Sequence, residues 1–533
     1  MAVFKRRWFM WDFARQRRFD REEFIMVATK LSELGFNGIG LYLEGAFELK
    51  SIGGGILREG VMTREDAIWA KEKCAALGIT LFPMTNVVGH MEHFLRQERF
   101  SHLSADDSLY ALNFTGPEAE EFAMKILTEY IEAFDTDYIH VGGDEVPLTD
   151  STRPLYAEFL SGICNKLLNK GITPAIWNDM LWSHKELCDV FSRDVEIFDW
   201  FYNGHRPESI KFFRELGFKR VIACPCDNSW QGFIGHQAMR PWVAEEDHTP
   251  VAPDEVEALF ADAIREGDPE NLMGLHTHWE DTMGRDLWGQ WSAFARSGYF
   301  MQGKFDNEPC NDETLEMAIF KRVTPYTQIM HIIQDEIHTL LRHPCHGLIY
   351  RDVLFSKQRY SKVLKDIARE KPEIAKETVE PVKKIEKLLS DWIAEGEFEK
   401  RCHAYLVSIV ALIKASFGLY DAFESYGKLY KIAANKQFDN TQEAKALVLE
   451  FADGFSTAAQ LIKEYVPTLK AFLMLTPTHT KTDFDKLENT IHYTENMAKI
   501  LTELATQPSF EKIPLPAISL VVDKALNNTV IER

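Results

Sequence analysis

No Cys-x-x-Cys spacing occurs anywhere in this chain, and eight cysteines are few for 533 residues. The closest pair is Cys224 and Cys226. That excludes a disulfide-stapled scaffold and a cysteine-rich zinc module, and it fits reduced thiols in a cytoplasmic protein. Histidine-bearing spots (His90/His93, His276/His278, His343/His346) lack the spacing of a zinc motif, so no metal is expected. Basic charge is also scarce. Lys and Arg number 60 against 81 Asp and Glu, a net charge of −21, which speaks against nucleic acid or an anionic membrane as partner. Long apolar runs are missing. The most apolar late stretch, residues 404–420, is broken by Lys414 and is too short to span a bilayer. Lys5, Arg6 and Arg7 are followed by no signal-peptide core, so a cytoplasmic location is expected. A dinucleotide-binding glycine motif is absent too.

What is present begins with a repeated stop signal. Leu34-Gly35-Phe36, Leu77-Gly78-Ile79, Lys170-Gly171-Ile172 and Leu216-Gly217-Phe218 each follow a helical stretch and precede an apolar run. Glycine just past a helix end accepts the left-handed conformation, and the next apolar residue packs back on the last turn. Start signals agree: Thr63-Arg64-Glu65-Asp66 has the form of a capping box, and Thr115 with Pro117 opens a helix to Phe134. Between these signals lie candidate strands at 8–13, 38–43, 79–85, 138–141, 173–177, 195–200, 220–224 and 272–277. Most are continuous apolar runs, as a parallel sheet covered on both faces requires. Eight strands over about 270 residues predict an α/β fold, a (β/α)8 TIM barrel over residues 1–305. A doubly wound open sheet is the structural alternative. Beyond the Gly- and Pro-bearing stretch 299–312 the pattern turns helical, predicting an all-α C-terminal domain over 306–533. Its length and apolar periodicity suggest a homodimer through that domain.

Barrel chemistry sits at the C-terminal strand ends. Each expected strand delivers polar or aromatic residues there: Asp12 and Arg15; Tyr42 and Glu44; Asn86 and His90; Asp144 and Glu145; Trp177 and Asp179; Asp199, Trp200 and Tyr202; Asp227 and Trp230; His278, Trp279 and Glu280. A single strand-end Trp is usually core packing. Tryptophans, carboxylates and an arginine on one rim together suit a sugar, whose C–H face stacks on aromatics and whose hydroxyls need charged partners. The fourth strand is the most informative. Residues 138–145 read Tyr-Ile-His-Val-Gly-Gly-Asp-Glu, an apolar strand running through two glycines into two adjacent carboxylates. That arrangement suits acid–base chemistry on a ligand bound over the strand end.

His140-Val141-Gly142-Gly143-Asp144-Glu145 resembles the signature of glycoside hydrolase family 20, the exo-acting β-N-acetylhexosaminidases. Asp12 and Arg15 resemble its first-strand Arg…Asp-x-x-Arg, and Pro83 to His90 its Pro-Glu-x-Asp-x-Pro-Gly-His. Trp177 with Asp179 resembles its fifth strand, and Trp279-Glu280 its last. The resemblance covers residues 5 to about 300 and suggests a shorter, bacterial-type branch. Met84, Asn86 and Val88 depart from the pattern, and Pro225-Cys226-Asp227 stands where the family has Tyr-x-Asp. Tyr202 is the candidate replacement for that acetamide-binding tyrosine.

The resemblance implies a retaining, substrate-assisted reaction, without a cofactor, on glycans ending in β-linked GlcNAc or GalNAc. The substrate's own acetamide is the nucleophile and forms an oxazolinium ion. Glu145 is then the acid–base, its pKa raised by burial and by Asp144, and Asp144 steadies the acetamide. Neighbouring residues on an extended strand point to opposite sides, which is why an opposed carboxylate pair is not expected. Arg15 holds the C3 and C4 hydroxyls, and His90 with Glu44 forms a relay to Glu145, with His140 also behind the pair. Trp177, Trp200 and Trp279 wall the acetamide pocket, Asp179 and Trp230 join the lining, and Asp227 or Glu280 binds the C4 or C6 hydroxyl. Two alternatives stay open: a barrel glycosidase with a separate carboxylate nucleophile such as Asp227 or Glu280, and a non-catalytic carbohydrate-binding protein.

Overall fold

The computed structural model describes residues 3–15, 17–52, 60–201, 207–227, 255–268, 271–280, 287–304, 311–337, 377–434, 441–475, 481–513 and 521–522. Eight parallel strands close into a barrel in sequence order. They are β1 (Arg6–Asp12), β2 (Gly38–Tyr42), β3 (Thr80–Met84), β4 (Tyr138–His140), β5 (Thr173–Trp177), β6 (Glu196–Asp199), β7 (Val221–Ala223) and β8 (Met273–His278). β8 returns to pair with β1, Trp8 opposite Leu275, so the sheet has no edge. A helix follows each strand: α1 (Arg21–Glu33), α2 (Arg64–Ala76), α3 (Ala119–Phe134), α4 (Arg153–Asn169), α5 (Asp179–Ser183), α6 (Pro207–Glu215), α7 (Glu255–Glu266) and α8 (Trp291–Met301). The expected (β/α)8 barrel is the observed one, and the open-sheet alternative falls.

The local signals act as their chemistry requires. Gly35, Gly78, Gly171 and Gly217 all sit at positive φ, between 71° and 93°. The amide after each reaches back across the helix end, as Ile79 does to the carbonyl of Cys74 at 2.9 Å. Thr63 and Asp66 exchange both capping-box hydrogen bonds ahead of α2.

Strand alternation explains the continuous apolar runs. On β1, Trp8 and Met10 face inward and join Phe82, Met84, Tyr138, Phe198 and Leu275 in the barrel interior. Phe9 and Trp11 face outward and pack on Phe36 and Phe294, and on Phe24. Deeper in the interior Glu196 is fully buried, bonded by Arg6 and by the Tyr138 hydroxyl, each at 2.6 Å, and paired with Arg220. These pairs hold a charge that would otherwise be costly to bury.

Contacts divide the chain into two compact units. The first comprises Met1–Trp230, Gly235–Asp281 and Gln290–Val323, and the second Gln231–Ile234, Thr282–Gly289 and Thr324–Arg533. Besides the barrel, the first unit contains α9 (Asp312–Phe320). The second is helical: α10 (Tyr326–Ile332), α11 (Val379–Asp391), α12 (Gly396–Ala434), α13 (Thr441–Leu475) and α14 (Lys481–Thr506). Within it Trp288 is fully buried, its ring 5.4 Å from Phe398 and its carbonyl bonded by the Tyr326 hydroxyl. Among the described residues no helix is long and apolar enough to cross a membrane.

Candidate active site

β4 stops at His140 because the following backbone leaves the extended region. Gly142 and Gly143 lie at φ 78° and 96°, and Glu145 itself at 51°. Asn86, at the end of β3, explains the first glycine: a Cβ there would lie 2.2 Å from its side chain. Asn86 uses both ends of its amide. Its oxygen accepts from Gly143 N–H at 3.0 Å, and its nitrogen donates to Asp144 Oδ1 at 2.6 Å. The Tyr156 hydroxyl, from α4, donates to the Gly143 carbonyl. The turn is thus built around Asp144, which is buried, while the Glu145 side chain is 56% exposed. Burial of Glu145 was expected and is not found. The extended geometry expected for the pair is corrected as well, since the left-handed turn at Glu145 brings both carboxylates to one side.

His90 shows this directly. Its Nε2 stands 3.3 Å from Asp144 Oδ2 and 3.3 Å from Glu145 Oε2. Burial alone favours the neutral imidazole, but the Asp144 charge, with hydrogen bonds to both carboxylates, overrides it and pushes the pKa up to about 11. Asp144 answers in kind. Burial works to raise it, yet the His90 charge and the Asn86 donor hold it below the ordinary carboxylate value. The Tyr110 hydroxyl lies 3.0 Å from the same His90 nitrogen and donates to the Glu145 carbonyl at 3.4 Å. His90, Asp144 and Glu145 are also the one group among the described residues whose ligand atoms lie close enough to share a metal ion.

His140 lies behind the turn, fully buried between Trp177 and Phe198, with Nδ1 accepting from Gly142 N–H at 3.2 Å. Burial lowers it to about 3, so it is neutral. Asp179 opens α5, and its Oδ2 accepts from Glu145 N–H at 2.9 Å. Burial, then the charges of Asp144 and Glu145, push Asp179 up to about 7.

The remaining rim residues sort into an aromatic cluster and a buried ladder. Arg15 lies over the rings of Trp279 (4.9 Å) and Tyr42 (5.2 Å) and pairs with Glu44 at 3.3 Å. Glu44 contacts His93 at 3.5 Å, so the relay expected between Glu44 and His90 runs to a different histidine. Trp177 and Trp279 have ring centroids 6.2 Å apart, and Trp200 packs against the same cluster. Asp227 and Glu280, expected to bind sugar hydroxyls, are almost wholly buried. Asp227 accepts from His278 at 2.6 Å, and His278 in turn lies 3.2 Å from Glu280. Arg17 grips Glu280 with three bonds of 2.7–3.0 Å and reaches Glu23 at 2.8 Å. Burial works to lower the pKa of His278, yet its bonds to Asp227 and Glu280 and their charges carry it up to about 10. The ladder fixes the strand end that carries Trp279. Tyr202 and Trp230 lie outside the described residues.

Three residues that shape the site went unread as such in the sequence. Asn86 had a signal, being a departure within the Pro83–His90 segment. Tyr110 and Tyr156 come from a loop and a helix face whose local patterns carry no sign of their target.

With the geometry in view, comparison with known proteins gives four findings. A sequence model of the glycosyl hydrolase family 20 catalytic domain matches residues 57–230. A lacto-N-biosidase of Bifidobacterium bifidum is 25% identical over 171 residues, covering 28% of this chain and 15% of that protein. A beta-hexosaminidase of Akkermansia muciniphila is 22% identical over 221 residues, covering 36% of this chain and 43% of that one. This chain therefore spans less than half the length of these curated relatives. Among solved structures, a beta-N-acetylhexosaminidase from Bacteroides fragilis aligns with TM-score 0.43 at 20% identity, covering 55% of this chain and 66% of that chain. The segment that the family model matches runs from the approach to β3 through β7 and includes the Asp144–Glu145 turn.

Proposed function

We propose that the chain is an exo-acting, retaining β-N-acetylhexosaminidase that removes terminal β-linked GlcNAc or GalNAc by substrate-assisted catalysis. The observation that carries this reading is the pair of 3.3 Å contacts from one His90 nitrogen to Asp144 and to Glu145. Two carboxylates that share one partner atom, with their oxygens within 4.8 Å of one another, suit a pair acting from one side of a bound sugar. A protein nucleophile and its acid must instead face each other across the anomeric carbon, about 5–5.5 Å apart. The adjacency of the pair supports a nucleophile from the substrate itself, and the 2-acetamido group implied by the family resemblance supplies it.

In the first step the acetamide oxygen bonds to C1 as the C1–O bond to the leaving group breaks, and Glu145 gives its proton to the departing oxygen. Asp144, held ionised by His90 and Asn86, accepts from the acetamide N–H and balances the positive charge of the oxazolinium ring. In the second step water attacks C1, Glu145 takes its proton, and the bond from C1 to the acetamide oxygen reopens. Two inversions return the β configuration. The intramolecular attack saves the entropy of a bimolecular encounter. Exposed at the rim, Glu145 can meet both the leaving group and the incoming water. Arg15, steadied by Glu44 and by the faces of Trp279 and Tyr42, suits the sugar hydroxyls, and Trp177 with Trp279 offers the apolar wall. Asp227 and Glu280 are engaged in the buried ladder, which weighs against either as a separate nucleophile.

A chromogenic β-N-acetylglucosaminide tests the activity, and a thiazoline mimic of the cyclic intermediate tests the mechanism. Turnover with tight thiazoline inhibition is expected. Turnover of a glucoside lacking the acetamido group would overturn substrate assistance, and failure to turn over any N-acetylhexosaminide would overturn the enzyme reading. For the assembly, the proposal is a homodimer through the helical unit, and a monomeric mass in solution would refute it.

A further inference from the structure

Glu145 is the exposed member of the pair, yet its backbone is the most constrained part of the turn. A non-glycine residue at φ 51° occupies a sparsely populated region, and such a residue persists where its surroundings over-determine it. The two polar groups that flank Glu145 along the chain are both taken up by side chains from other elements. Its N–H is accepted by Asp179 Oδ2 at 2.9 Å, from the first residue of α5. Its carbonyl accepts from the Tyr110 hydroxyl at 3.4 Å, and the same hydroxyl stands 3.0 Å from His90 Nε2. The carbonyl two residues earlier, at Gly143, is held by Tyr156.

We propose that Asp179 is a positioning residue, whose carboxylate clamps the Glu145 amide and so sets the direction in which the proton-transferring side chain leaves the turn. The inference rests on the assignment of Glu145 as the acid–base above and extends it. It also changes the role of Asp179, which is spent on the backbone of the turn rather than on the lining of the substrate pocket. The geometry favours a clamp over simple packing. A carboxyl oxygen accepts from an amide whether the group is ionised or neutral, and here the acceptor atom meets the Glu145 N–H itself. Asp144 does not depend on that bond, since Asn86 and His90 hold it separately. Loss of the clamp therefore affects proton transfer and leaves charge stabilisation in place.

Three forms of the full chain make the test: wild type, Asp179→Ala and Asp179→Asn. Each is assayed for kcat/KM on N-acetylglucosaminides with leaving groups from dinitrophenol to a sugar alcohol. Asp179→Ala is expected to lose about 10²-fold on the poorest leaving group, the scale of a misplaced catalytic group. The loss should shrink toward unity on dinitrophenol, which departs without acid help, and thiazoline affinity should be unchanged. Asp179→Asn keeps a carbonyl acceptor for the amide and is expected to recover most of the lost rate. Equal loss on all leaving groups, or Asp179→Asn as impaired as Asp179→Ala, would overturn the proposal. Crystal structures of wild type and Asp179→Ala give a readout independent of turnover. Glu145 should leave the left-handed region in the variant, and a φ still near 51° would refute the clamp. An inactive wild type would instead refute the enzyme reading, and the two structures would still decide the clamp.

Discussion

Replacing Asn86 by aspartate puts a second carboxylate against Asp144 without changing the size of the side chain. The Asn86 nitrogen lies 2.6 Å from Asp144 Oδ1. Two negative charges at that separation repel by about 6 kcal/mol at an effective dielectric of 20, or about 4–5 pKa units. One proton is therefore retained by the pair above the ordinary carboxylate range. While that proton is present, the introduced carboxyl donates to Asp144 as the asparagine does, and the site works. Once it leaves, Asp144 loses a donor and gains a like charge. The expected outcome is near wild-type kcat at about pH 5, with an additional alkaline loss of activity beyond the limb that a proton-donating acid imposes on wild type. The assay is the pH profile of kcat on a chromogenic N-acetylglucosaminide, with Asn86→Ala as control. Asn86→Ala has neither donor nor proton and should be impaired at every pH. Superimposable profiles of Asn86→Asp and wild type across the alkaline range would refute the role given to Asn86. So would an Asn86→Asp variant already inactive in mild acid.

Other expected outcomes follow from the same geometry. Glu145→Gln should lower kcat/KM on substrates with poor leaving groups by about 10²–10⁴-fold and spare activated aryl glycosides; a uniform loss measured across the series would contradict the acid role. Gly143→Ala forces a Cβ to 2.7 Å from Leu160 at φ 96° and should cost about 1–3 kcal/mol, read from denaturant unfolding of the barrel. Arg17→Met removes the guanidinium that joins Glu280 and Glu23, both buried, and should destabilise by about 3–5 kcal/mol; an unchanged unfolding midpoint would mean that the ladder contributes nothing. His90 has a folded-state pKa raised from 6.5 to about 11, so its contribution to stability is complete below the lower value and fades as pH rises toward the upper one. His90→Gln should flatten that part of the stability–pH curve.

The barrel was legible because its signals are local. Each glycine stop and each apolar run occupies a short stretch of chain, and all eight strands begin and end close to the stretches read from sequence. The Asp144–Glu145 pair was legible for the same reason. What escaped depends on residues far apart in the chain. Arg17 meets Glu280 across 263 positions, and nothing near either residue announces the other, so Glu280 read as an open sugar ligand. Alternation misled at Glu145 because two glycines and a left-handed residue had already ended the strand. Tyr110 reaches His90 from a loop without periodicity. A hydroxyl at a loop tip has no pattern until the fold supplies its neighbour.

Closure of the sheet has a consequence for anyone dividing this protein. The matched segment 57–230 holds β3 to β7 but neither β1, β2 nor β8. Cut out, it would present β3 and β7 as two raw edges with unpaired amides and carbonyls, and these invite self-association. It would also leave behind Arg15 and the Trp279 ring that it covers. The segment that the family model matches is thus smaller than the closed barrel. A productive truncation has to keep the first strand and the eighth, because those two strands hold the ring shut.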